Sequence, residues 1–225
     1  VRLVITGFKG GIGRTSTTLN LAARLAERRS VLVNDQDPQC GALAWAALSD
    51  QTPFAVARAS SPGLFDVEIV DMPPSMPIKE QMPDADLYLV VTTLDAASYT
   101  VFLRTVALLT EQGKPYLVVA NRYRPARGEQ KRRLAEEPLL AQAIVIRDRA
   151  ILSSYYERGT TVFALDGKRA QAAQADFVAL SDAIESRLKA LKRAAQRRAK
   201  KFSDLRKQRV SRLTQKKLTR AGRQA

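Results

Sequence analysis

The sequence predicts an α/β fold: an open, mostly parallel twisted sheet flanked by helices, followed by a basic C-terminal extension that is helical or disordered. Three observations carry this. Short runs rich in Val, Ile and Leu recur along the chain, the composition of strands buried on both faces. Segments of helical composition separate them, and that alternation places helices on the faces of a parallel sheet. Positive charge, finally, is concentrated: from Arg187 to Ala225 there are 16 Lys and Arg against one acid, Asp204, whereas the residues before Arg187 hold 21 of each sign. The body is formally neutral and the excess lies in the tail. A globular domain over residues 1–190 and an extension over 191–225 follow.

The apolar runs are Leu3–Thr6, Val31–Asn34, Val67–Val70, Leu87–Val91, Tyr116–Ala120 and Ala143–Ile146. Helices are expected over Thr15–Arg29, Tyr99–Gln112 and from about Ala170 past Lys200. In the first, Leu19, Ala22, Ala23 and Ala26 share a face at helical spacing. Pro38, Pro53, Pro62–Gly63, Pro73–Pro74, Gly113–Lys114–Pro115 and Pro125 fall between the periodic segments, where turn-forming residues belong. A single cysteine, Cys40, and no histidine exclude an internal disulfide framework and a His/Cys metal cluster. No stretch reaches the roughly 18 apolar residues of a membrane span, and the first residues lack the apolar length of a signal peptide. A cytoplasmic location is expected.

The densest chemical signal is Gly7-Phe8-Lys9-Gly10-Gly11-Ile12-Gly13-Arg14-Thr15-Ser16, directly after the first strand and before the first helix. Glycines let the backbone take positive φ and approach an anion, so that successive N–H groups and the helix N-terminus surround phosphates. Lys9, Gly10, Gly11, Ile12, Gly13, Arg14, Thr15 and Ser16 are therefore candidate phosphate contacts, and the Thr15 hydroxyl is a candidate Mg²⁺ ligand. The common pattern GxxxxGK[ST] has lysine where this chain has Arg14. Arginine keeps the charge but is planar and forked, which changes the phosphate geometry available to it. Two acidic strand ends follow, Asn34-Asp35-Gln36-Asp37-Pro38-Gln39 and Asp71-Met72-Pro73-Pro74-Ser75. Carboxylates there open onto the crevice in which open α/β sheets bind ligands.

Lys9-Gly10-Gly11-Ile12-Gly13-Arg14-Thr15 resembles the deviant Walker A box of the ParA/MinD family of P-loop NTPases, whose mark is the early lysine. Asp35-Gln36-Asp37-Pro38-Gln39 resembles the family's A′ box, and Asp71-Met72-Pro73-Pro74-Ser75 its Walker B segment. The similarity covers roughly residues 1–190 and is nearest to small plasmid-partition ParA proteins. It implies ATP and Mg²⁺ as ligands, slow partner-stimulated hydrolysis and an ATP-dependent homodimer. Residue by residue, it implies that Lys9 reaches across the dimer to the partner's phosphates and that Asp37 positions the attacking water. Arg14 completes the catalytic set on the phosphates. Asp35 stands near the metal's hydration shell and Asp71 holds a water on the metal. Asn121, at the end of the fifth run, matches the family's reader of the adenine edge. A ParB-like centromere-binding adaptor is the implied stimulating partner.

In the tail, the large apolar residues from Ala194 onward are only Phe202, Leu205, Val210, Leu213 and Leu218. A membrane-surface helix needs a broader apolar face, whereas non-specific DNA binding needs charge density alone. Candidate DNA contacts are Arg193, Arg197, Arg198, Lys200, Lys201, Arg206, Lys207, Arg209, Arg212, Lys216 and Lys217. The expected function is partition or positioning of DNA by a bacterial, nucleoid-associated ATPase. Two rivals stay open: a nucleotide-dependent DNA-binding scaffold with little hydrolysis, and a membrane-associated positioning ATPase of the MinD kind.

Overall fold

The computed structural model describes residues 1–221, apart from the side chains of Ile78, Lys201 and residues 203–221. Among the described residues seven strands form one sheet: β1 (Arg2–Thr6), β2 (Val31–Asp35), β3 (Ala55–Ala57), β4 (Val67–Asp71), β5 (Leu87–Thr92), β6 (Tyr116–Tyr123) and β7 (Ile144–Arg147). Their order is β3-β2-β4-β1-β5-β6-β7, and every pairing is parallel. All six expected strands are present. The seventh, β3, is an edge strand of three half-buried residues, too short to give a periodic signal.

Burial follows the strand period. Val4, Tyr88 and Val90 join Phe102, Val106 and Leu109 of α3 (Ala96–Glu111) in one core cluster. Leu3, Ile5, Leu87 and Leu89, at intervening positions and 0–1% exposed, therefore face the other side of the sheet. Helix α1 (Arg14–Ala26) packs against β1, β2 and β4, with Leu19, Leu21, Ala22 and Ala23 buried. Two short helices, α2 (Gly41–Ala46) and α4 (Gly128–Glu136), went unexpected, and a third, α5 (Ile151–Ser154), follows β7.

Helix α6 spans Lys168–Ala221. In its first part Ala170, Ala173, Phe177, Leu180 and Ile184 recur at helical spacing and are 0–2% exposed, which ties this stretch into the body. By contact density the body comprises Val1–Ile184 and a second unit comprises Glu185–Ala225. In that second unit Arg193, Arg197, Arg198 and Lys200 are exposed on the helix. The side chains of Lys201, Arg206, Lys207, Arg209, Arg212, Lys216 and Lys217 lie outside the described residues.

Candidate nucleotide site

β1 ends at the centre of the sheet, with β4 on one side and β5 on the other. Because β2 lies beyond β4 while β5 lies opposite, the strand order reverses here, the place where open α/β sheets bind ligands. The glycine loop fills this point. Gly11 and Gly13 take φ of 73° and 89°, so the chain turns directly into α1. The first helical amide to find a carbonyl is that of Thr17, on Gly13 O at 2.9 Å. The amides before it open on the loop as an anion site.

Strand register brings the acids together. Asp35 and Asp71 are direct partners across β2 and β4, and Asp71 also pairs with Ile5 of β1. The Asp71 carboxylate is wholly buried; it accepts from Thr15 Oγ1 at 2.7 Å and Thr18 Oγ1 at 3.2 Å. Burial pushes its carboxyl up to about 7, against the opposing pull of Thr15, Arg14 and Thr18. A charge kept so dry beside a hydroxyl suits a hard cation.

Asp35 is committed differently. Its Oδ1 accepts from Asp37 N, and its Oδ2 from Ala42 N and Leu43 N at 2.9 and 3.1 Å. Three of its roughly four lone-pair sites thus hold the 37–41 turn and the start of α2. These bonds give Asp35 a structural task in the turn and leave about one acceptor site of its carboxylate open beside Asp71. Tyr156 holds the same turn from outside, donating to Gly41 O at 2.5 Å, and Trp45 of α2 donates to Thr160 O at 2.9 Å.

The two cations of the loop point to different partners. Lys9 Nζ lies 3.1 Å from Asp95 Oδ1 and 2.7 Å from Ser98 Oγ. Burial raises the Asp95 carboxyl, but bonds from Ser98, Thr93 and Lys9 outweigh it and hold this group well below the usual carboxylate range. Arg14 is 7% exposed. Its Nε donates to Met72 O at 2.9 Å, and one terminal nitrogen donates to Gly7 O and Lys9 O at 2.5 and 2.6 Å. The other terminal nitrogen lies 3.6 Å from Asp37 Oδ2. Burial lowers the Arg14 pKa, against Asp71 and Asp37.

Asn121 sits at the end of β6, 5% exposed, donating to Ile12 O at 2.8 Å and accepting from Arg122 N at 2.9 Å. Its nitrogen braces the loop, while its oxygen is held by the amide of the next residue. Beside it opens a cleft of about 650 Å³ lined by Gly13, Asn121, Asp148, Leu152, Tyr156 and Phe177 among others. A narrower crevice of about 280 Å³ runs along Lys9, Asp95, Arg122 and Arg127. A larger hollow of about 810 Å³, between residues 79–84 and Gln112–Lys114, lies by the N-terminal starts of β5 and β6, away from every box.

The sequence pointed to the three boxes but missed their supports. Asp95 is the N-cap of α3, accepting from Ser98 N at 3.0 Å, and Asp-x-x-Ser before an apolar run was a readable cap signal. Asp148, paired with Arg124, and Tyr156 lay in a segment to which the sequence assigned no role.

Among the described residues no helix is long and apolar enough to cross a membrane, and no cluster of three or more acidic, histidine or cysteine side chains forms a metal cage.

Known proteins share this fold. The maintenance of carboxysome distribution protein A of Gloeobacter kilaueensis is 27% identical over 201 residues, covering 81% of this chain and 93% of that protein. The ATP complex of Cyanothece McdA superposes with a TM-score of 0.65 at 17% identity, covering 82% of this chain and 96% of the other. The cell division ATPase MinD of Pyrococcus furiosus does so with a TM-score of 0.60 at 23% identity, covering 82% and 98%. Residues 3–162 match the CobQ/CobB/MinD/ParA nucleotide-binding domain, and the chain, with its glycine loop and acidic strand ends in that family's order, belongs to this family.

Proposed function

We propose that this chain is an ATPase that dimerises on ATP, binds DNA without sequence preference in that state, and partitions or positions a cargo. The observation that supports it most is the meeting of Lys9, Arg14, Thr15, Asp37 and Asp71 at one strand-order reversal. Relatives named for carboxysome distribution and cell division support positioning as the general task, with plasmid DNA one cargo of that class.

The backbone amides of residues 10–16 receive the phosphates, with Lys9 and Arg14 supplying charge. The donors present fit Mg²⁺: a hydroxyl and a buried carboxylate, both hard oxygens, for an ion that takes few protein ligands and keeps its waters. Thr15 would hold it directly and Asp71 through a water, with Asp35, which also secures the turn, near its hydration shell. When bound, Mg²⁺ neutralises charge on the transferring phosphoryl group. Asp37 orients the attacking water. Lys9 leaves Asp95 and Ser98 to reach the phosphates of a second copy, and a ParB-like adaptor accelerates turnover. Asn121 contacts the base from its place beside the 650 Å³ cleft.

The tail supplies DNA affinity through Lys/Arg–phosphate pairing, with log K falling by about 0.9 per phosphate neutralised against log salt. Deleting residues 194–225 is expected to abolish DNA binding in ATP and flatten the salt slope. DNA affinity and slope unchanged by the deletion contradict this reading. Sedimentation with anionic liposomes that survives competing DNA favours membrane positioning instead.

A further inference from the structure

Arg14 stands where the common loop pattern has lysine, and its shape has a structural consequence. A guanidinium carries five N–H donors in a fixed fork. Nε is spent on Met72 O and one terminal nitrogen on Gly7 O and Lys9 O, so three donors anchor the group to backbone. The remaining terminal nitrogen faces Asp37 Oδ2 at 3.6 Å. Asp37 is itself 8% exposed, and its Oδ1 accepts from Gln39 N at 3.0 Å. Both carboxylate oxygens are thus drawn to protein partners, Oδ1 by a hydrogen bond and Oδ2 by a buried ion pair. The anchored fork also cannot swing away as a flexible ammonium could.

A phosphate oxygen in the loop and Asp37 Oδ2 would compete for the same nitrogen. A lysine at this position carries one ammonium with three donors and no second arm. With a single nitrogen, it cannot be anchored to the loop carbonyls through one nitrogen while offering another to Asp37.

We propose that Arg14 is a positioning residue for Asp37: the one guanidinium nitrogen not taken by backbone holds Asp37 Oδ2 until a phosphate oxygen takes that nitrogen in place, so the 37–41 turn senses phosphate occupancy and basal hydrolysis is slow. The claim deepens the ATPase reading above and rests on it for the hydrolysis arm alone.

The test joins hydrogen exchange in nucleotide-free protein with steady-state ATP hydrolysis, for wild type, Arg14→Lys, Asp37→Asn and the double variant. The Gln39 and Cys40 amides, which bond to Asp37 Oδ1 and Asp37 O, report the turn. Each single variant is expected to speed their exchange at least five-fold, with the double variant no faster than either. ADP is expected to change their exchange in wild type but not in Arg14→Lys. The kcat of Arg14→Lys is expected to rise three-fold or more with a smaller change in KM, and to be lost when Asp37→Asn is added. Exchange unchanged by Arg14→Lys, additive effects in the double variant, or a kcat of Arg14→Lys at or below wild type each overturn the proposal. Asp37→Asn approaches the contact from the other side should the arginine variant fold poorly. If wild type neither binds nor hydrolyses ATP the ATPase reading fails, while the nucleotide-free exchange still decides the Arg14–Asp37 coupling.

Discussion

The side-chain amide of Asn121 occupies the place where a β-carbon on Gly13 would go. Two elements far apart in sequence, the glycine loop and the end of β6, are thereby fitted to each other through the one residue type that allows it. Gly13 also takes φ of 89°, where other residues are strained.

Gly13→Ala is thus expected to cost about 1–3 kcal/mol of stability and to abolish nucleotide binding, read by urea denaturation and fluorescent-nucleotide titration. Adding Asn121→Ala removes the collision but leaves the backbone strain, so the double variant should recover part of the stability. Full recovery, or none, would show that only one of the two causes operates.

The same pair shows what the sequence discloses and what it does not. The loop was legible because Leu3–Thr6, the glycines and the apolar face of α1 follow one another in the order a strand-loop-helix requires. Asn121 was legible as a strand-end residue, but its bond to Ile12 O depends on β6 lying two strands from β1, which no local pattern encodes. Helix α4, Gly128–Glu136, escaped notice because Gln130 is its one buried residue, leaving almost no apolar face to read. Helix α3 begins at Ala96 rather than Tyr99 because Asp95 caps it. Asp35 and Asp71 were both visible as acids, yet their division of labour is set by which backbone amides and hydroxyls reach each one.

Lys9 has to leave Asp95 and Ser98 before it can serve a second copy. Asp95→Asn weakens a partly exposed ion pair, about 0.2–1 kcal/mol by its kind, and so is expected to tighten ATP-dependent self-association up to several-fold. Lys9→Ala is expected to eliminate it. Both are read by analytical ultracentrifugation over a protein dilution series, and weaker association of Asp95→Asn than of wild type would contradict the account.

Asp71 makes nucleotide-free stability depend on pH in an unusual direction. Its carboxyl is pushed up to about 7 in the fold by burial, whereas in the unfolded chain it titrates near 4. Between those values the folded protein holds a proton that the unfolded chain has released, so this group's contribution declines as pH rises from about 4 to 7. The loss is on the order of a few kcal/mol. Asp71→Asn is expected to flatten that decline and to exceed wild type in stability at pH 8 without nucleotide or Mg²⁺, measured by urea unfolding at several pH values. A decline of equal steepness in both proteins would remove Asp71 as its source.

Whether ATP at the glycine loop drives self-association and DNA binding together is read by sedimentation velocity of the full chain with ATP, ADP or no nucleotide, each with and without non-specific DNA. The account predicts a dimer in ATP alone and co-sedimentation with DNA that requires ATP. One sedimentation coefficient in all three nucleotide states, with DNA bound equally in each, would contradict it.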